Sequence, residues 1–131
     1  MAFRKAKFPK PFYPLIQSIF MAEMKKAIED FQEVMKMLSK NNPEVMRDFR
    51  KFMDSVLKEG YLDTKTKELI ALGMAIAARC KYCIGIHVQK ALEAGASKEE
   101  ILEAATVAIL MGGGPALTYI AEVKKALEEF G

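Results

Sequence analysis

The sequence predicts an all-α protein, a bundle of about six helices, and three observations predict it. Apolar residues recur three or four positions apart over most of the chain, the period of a helix buried along one face. Nowhere do β-branched residues alternate with polar ones between turn signals, as a half-buried strand requires. Helix start and stop signals follow one another closely, which leaves only short connections. The chain has 131 residues, 51% of them hydrophobic, enough to fill one core. We therefore read 1–131 as a single all-α domain that opens with an extended basic arm over 1–13.

The arm carries Arg4, Lys5, Lys7 and Lys10. Pro9, Pro11 and Pro14 prevent a helix start there, and no long apolar stretch marks a secretory leader. It reads as a solvated or partner-packing arm. A long amphipathic helix is expected from about Leu15 to Ser39, with Ile16, Phe20, Met24, Ala27, Phe31, Val34 and Leu38 on its apolar side. Asn42 as cap and Pro43 at the first helical position start a second helix, which runs to about Glu59 and stops at Gly60. Asp63 or Thr64 caps a third, running to about Ala78. Its stretch from Leu69 to Ala78 is apolar all round. Such a helix is expected to be buried on every side, inside the domain or in a subunit contact. The fourth helix carries the cysteines and ends near Gly95. Ser97 and Glu100 form a capping box that opens a fifth, running to about Met111. Gly112, Gly113, Gly114 and Pro115 then turn the chain, and a last helix reaches Glu129.

Charge and hydropathy exclude several function classes. The net charge is +3, with lysines scattered among glutamates, so no nucleic-acid footprint is indicated. Ala104 to Ala121 carries no charge and has the length of a short membrane span. The glycine–proline break in its middle points instead to two buried helix ends joined by a tight turn. With neither leader nor span, the expected location is cytoplasmic. Thiols are kept reduced there, so a close cysteine pair points to catalysis or metal rather than to a structural staple.

That pair is Cys80 and Cys83, followed by His87, and the chain has no other cysteine or histidine. On a helix each residue advances about 100°, so all three side chains leave from one face. Cys83 and His87 are four apart and can touch. Cys80 and His87 are about 10 Å apart along the axis, too far for direct contact. The imidazole is therefore the natural base for Cys83. Cys80 lies near the helix start, where free amides and the dipole favour a thiolate, and Arg79 and Lys81 push the same way. A base of this kind needs a partner on its other nitrogen. If the third and fourth helices form a hairpin turning near 77–79, Glu68 comes level with His87. Glu68, His87 and Cys83 then form a relay of carboxylate, imidazole and thiol.

The run Glu68, Cys80-x-x-Cys83-x-x-x-His87, then Ala91-Leu92-x-x-Gly95-Ala96-x-x-Glu99-Glu100-Ile101, resembles the alkylhydroperoxidase D core of the carboxymuconolactone decarboxylase superfamily. The resemblance covers about residues 50–125. It implies an all-α, alkylhydroperoxidase D-like fold assembled as a trimer or hexamer. It also implies a thiol peroxidase or disulfide reductase without metal or organic cofactor, acting on a peroxide and renewed by an external dithiol. Carried across, Cys83 attacks the peroxide, Cys80 resolves, and Glu68 with His87 relays the proton. The chain departs from the family's pattern at Tyr82, where a second histidine lies between the cysteines in the best-studied branch.

Three other readings compete. Zinc could take Cys80, Cys83, His87 and Glu68, though helical spacing is awkward for a closed tetrahedron and no second knuckle is present. A lyase like the decarboxylases of the same superfamily would not need a thiol pair. A non-catalytic oligomeric protein would use the apolar third helix for assembly alone. The third helix and the stretch from Ala104 to Met111 are too apolar for a monomer of this size to hide, so a homo-oligomer is expected on physical grounds as well.

Overall fold

The computed structural model describes residues 23–131. The basic arm and the expected start of the first helix, with Ile16 and Phe20, lie outside the described residues. Among these residues there are five helices: α1 (Glu23–Asn41), α2 (Pro43–Leu57), α3 (Thr64–Ala77), α4 (Lys81–Glu93) and α5 (Lys98–Phe130). The architecture is all-α and contains no strand among the described residues.

The expected fifth and sixth helices run together as α5, in two segments that meet at a kink in the triple glycine. Gly113 alone leaves helical geometry, with φ 65° and ψ −149°. Pro115 then falls in the first turn of the segment beyond the break, where a missing N–H costs nothing. The helix is long and apolar enough to cross a membrane by length and composition. The break at Gly113 leaves two pieces, each shorter than the roughly 20 residues of a span. The expected buried helix ends at this point are not found: Leu110 and Met111 are 81% and 79% exposed.

Local chemistry explains most boundaries. Asp63 caps α3, its Oδ1 accepting from the Thr66 amide at 2.7 Å. The exposed Asp63 carboxylate is held below its ordinary range by the side-chain and backbone hydrogen bonds of Thr66. Ser97 and Glu100 close the capping box of α5, the Glu100 amide donating to Ser97 Oγ at 3.0 Å and the Ser97 amide to Glu100 Oε2 at 2.8 Å. Asn42 stands at the N-cap of α2 as expected, but its side chain makes no capping bond, and Pro43 alone sets that start.

Helices α3, α4 and α5 pack against one another, and α1 lies across α4 and α5. The core between them holds Leu72, Ile76, Ile84, Val88, Ile101 and Val123, with Met24 contributed by α1. Glu129, near the end of α5, ties α1 down: its two carboxylate oxygens accept from the Met24 and Lys25 amides at 2.8 and 2.7 Å. Of the two expectations for α3, burial on every side inside the domain is not met. Its inner face, with Glu68, Leu72, Ala75 and Ile76, is buried, whereas Ile70 and Met74 on the outer face are exposed.

Candidate active site

The site is built on the α3–α4 hairpin. Ala78 ends α3, the Arg79 amide donates to the Ile76 carbonyl and the Cys80 amide to the Ala75 carbonyl, both at 3.0 Å. This double closure leaves Arg79 in the left-handed region, at φ 57°. Cys80 then becomes the N-cap of α4 instead of a residue within it. Its Sγ accepts from the Cys83 amide at 3.3 Å, so sulfur does the work usually given to a Ser or Asp oxygen. The two cysteines are joined as a disulfide, with their Cα atoms 5.2 Å apart.

The hairpin sets Glu68 against His87. His87 Nδ1 lies 2.7 Å from Glu68 Oε2. Glu68 is 3% exposed, the one buried charged residue among those described. An unpaired carboxylate in that position would be costly, and the imidazole is what it pairs with. With the Nδ1 hydrogen donated to Glu68, Nε2 is left as the acceptor. Cys83 lies one turn before His87 on the same side of α4 and packs, half-buried, against the core. Tyr82, between the cysteines, is 48% exposed. All four residues singled out from the sequence are thus gathered on one hairpin. Among the described residues, no three His, Cys, Asp or Glu side chains are placed to hold one metal ion.

Two features take their meaning from α1. Gly85 stands two residues from both Cys83 and His87 and faces away from them on the helix. A Cβ there would lie 2.3 Å from Met24 Sδ and 2.8 Å from Met24 Cγ. The glycine makes room for α1. Beside the disulfide, Lys81 is bound to Glu23, and Lys125 bridges Glu23 and Glu122 at 3.2 Å each. Hydrogen bonds from Lys81 and Lys125 hold the Glu23 carboxyl below its usual range. Burial works against the charge on Lys125, yet its bonds to Glu122 and Glu23 leave it above the ordinary lysine value. Lys81 is therefore neutralised by its partner and does not act on Cys80 as a free cation, contrary to the expectation from its position.

The model of the carboxymuconolactone decarboxylase family matches residues 43–126. The chain belongs to that family. The match takes in α2 through most of α5 and both halves of the hairpin. A carboxymuconolactone decarboxylase family structure from Legionella pneumophila is 40% identical, covering 83% of this chain and 97% of its own, with a TM-score of 0.81. One from Thermotoga maritima is 33% identical over 79% of this chain and 88% of its own, with a TM-score of 0.71. An uncharacterized protein of Cupriavidus necator is 31% identical over 108 residues, 82% of this chain and 93% of the relative. The alkylhydroperoxidase D-like resemblance of the Cys-x-x-Cys hairpin falls within this family.

Proposed function

We propose that this member of the carboxymuconolactone decarboxylase family is a thiol-dependent peroxidase and disulfide oxidoreductase. One arrangement carries the reading: a Cys80–Cys83 disulfide on the same hairpin as a buried Glu68–His87 pair at 2.7 Å. A part in the antioxidative response has been suggested for the Thermotoga maritima relative, which agrees with this chemistry. In the reduced protein, His87 takes the Cys83 proton and Glu68 steadies the imidazolium. The Cys83 thiolate attacks a peroxide oxygen. A sulfur–oxygen bond forms, the O–O bond breaks, and the leaving alkoxide or hydroxide takes up the proton from His87. Cys80 then attacks the sulfenic acid, forming the disulfide and releasing water. An external dithiol returns both thiols by exchange and leaves as its own disulfide. The expected setting is the cytoplasm, and the expected form a homo-oligomer.

The test joins thiol titration to peroxide consumption. Reduced protein treated with one equivalent of hydrogen peroxide should lose two thiols together, and Cys83→Ser should abolish turnover. A lyase of the decarboxylase type would lose neither thiols nor activity, and unchanged peroxide consumption in Cys83→Ser would end the reading.

A further inference from the structure

The double closure that ends α3 occurs a second time, at the end of α4. There the Gly95 amide donates to the Leu92 carbonyl at 3.0 Å and the Ala96 amide to the Ala91 carbonyl at 2.9 Å. Gly95 takes the left-handed position, at φ 93°. That position crowds any Cβ, which is why glycine is the usual occupant. The chain uses glycine at one end of α4 and arginine at the other, one residue before Cys80.

The charges around the cysteines single out the same residue. Lys81 is held by Glu23, and Lys125 by Glu23 and Glu122. No described carboxylate pairs with Arg79, and residues 1–22 contain no Asp or Glu at all. Arg79 is exposed. It is the uncompensated cation of the hairpin turn, and a guanidinium matches a carboxylate in shape and charge.

We propose that Arg79 selects the reductant, drawing a small thiol that carries a carboxylate to the Cys80–Cys83 disulfide. This rests on the redox reading given above, with two molecules of a monothiol in the place of one dithiol. The incoming thiolate attacks Cys80, the cysteine beside Arg79. A mixed disulfide forms there, the Cys80–Cys83 bond breaks, and Cys83 leaves as a thiolate that takes a proton by way of His87. A second thiolate attacks the mixed disulfide and restores the Cys80 thiol, which is protonated from solvent. Two electrons pass from two external thiols to the protein, and the external thiols leave joined as a disulfide.

The test uses three small thiols: 3-mercaptopropionate, its neutral isostere 3-mercaptopropionamide, and the cationic cysteamine. Rates of disulfide reduction are measured at low salt and divided by each thiol's own thiolate concentration. In the wild type the carboxylate should outrun the amide by about five-fold and cysteamine should be slowest, with the spread shrinking at high salt. Arg79→Gly puts the favoured residue into the closure and should fold at least as well, yet the spread should collapse. Arg79→Lys should retain most of it. The same selectivity in Arg79→Gly as in the wild type, or none in the wild type, overturns the role of Arg79 and leaves the redox reading standing. A disulfide that none of the three thiols reduces overturns the role of Arg79, and one that dithiothreitol also fails to reduce overturns the redox reading as well.

Discussion

At the scale of the residue, the question is what each side chain at the site is for. Glu68 sits where only a partner makes a carboxylate tolerable, and that partner is the base proposed for Cys83. Glu68→Gln keeps the shape and a hydrogen bond but loses the charge that steadies an imidazolium. Peroxide turnover should fall by about 10²-fold, the usual size of a lost proton-transfer contribution, while the disulfide still forms on prolonged oxidation. Steady-state kinetics on the variant would check this, and a rate within two-fold of wild type would remove Glu68 from the relay. Gly85 makes the opposite kind of statement. In an open helix, Gly→Ala gains about 1 kcal/mol. Here the new methyl would meet the side chain of Met24, which is fully buried and must shift within the core to admit it. Overpacking costs about 1–3 kcal/mol, so Gly85→Ala should lose a net amount of about 1 kcal/mol in urea unfolding. The loss should shrink when Met24→Ala is added, although that change is itself destabilising. The register of Glu68 against His87 was legible in the sequence because a hairpin with a short turn is local arithmetic. Close packing at Gly85 was one reading the sequence allowed, but its partner was not legible, because the atom it avoids belongs to a helix some sixty positions earlier in the chain.

At the scale of the element, α1 is the informative case. Its apolar positions mark it as a helix, but nothing in its own pattern says where it docks. Docking joins the burial of Met24, Ala27 and Ile28 to long-range polar contacts, Glu129 on the α1 amides and Glu23 between Lys81 and Lys125. Glu23 and Lys81 are 58 residues apart, so neither composition nor spacing could pair them. The break in α5 was legible in its place but not in its sharpness, for a related reason. A Gly-Gly-Gly-Pro run permits a turn or a single break, and the packing of both halves decides between them. The Glu23 contacts make a testable claim about pH. Because the folded carboxyl lies below its ordinary value of 4.5, the stability it contributes is present above that pH and is lost as pH falls through the folded value. The raised value of Lys125 acts only at the alkaline end and leaves the acid window untouched. Glu23→Gln should therefore melt below wild type at pH 6, and the gap should narrow on acidification below pH 4.5. A gap that stays constant from pH 6 to pH 3 would mean that α1 is held by packing alone.

At the scale of the whole molecule, the unresolved matter is the outer surface of α3 and α5. The sequence marked α3 as apolar all round, and the fold buries only half of it. The other half, with Ile70 and Met74, runs beside Val107 and Met111 and frames a groove of about 400 Å³ between the two helices. Met74 is 68% exposed and Leu110 81%. Apolar surface on this scale is unusual for a soluble monomer and typical of a face that another subunit covers. The apolar side of α2, with Val45, Phe49 and Phe52, is open as well. Self-association is the expected outcome, and it would also supply the burial that the apolar pattern of α3 demands. Leu110→Lys puts a charge on the most exposed of these α3–α5 residues, where it should cost an oligomer much and an isolated chain almost nothing. Light scattering at micromolar concentration should report a multimer for the wild type and a shift towards monomer for Leu110→Lys, with the helical signal preserved. The Glu68–His87 and Cys80–Cys83 contacts that shape the hairpin site are made within one chain, so the dissociated variant should keep its Cys80–Cys83 chemistry. Loss of thiol reactivity together with assembly would instead mean that a neighbouring subunit completes the site.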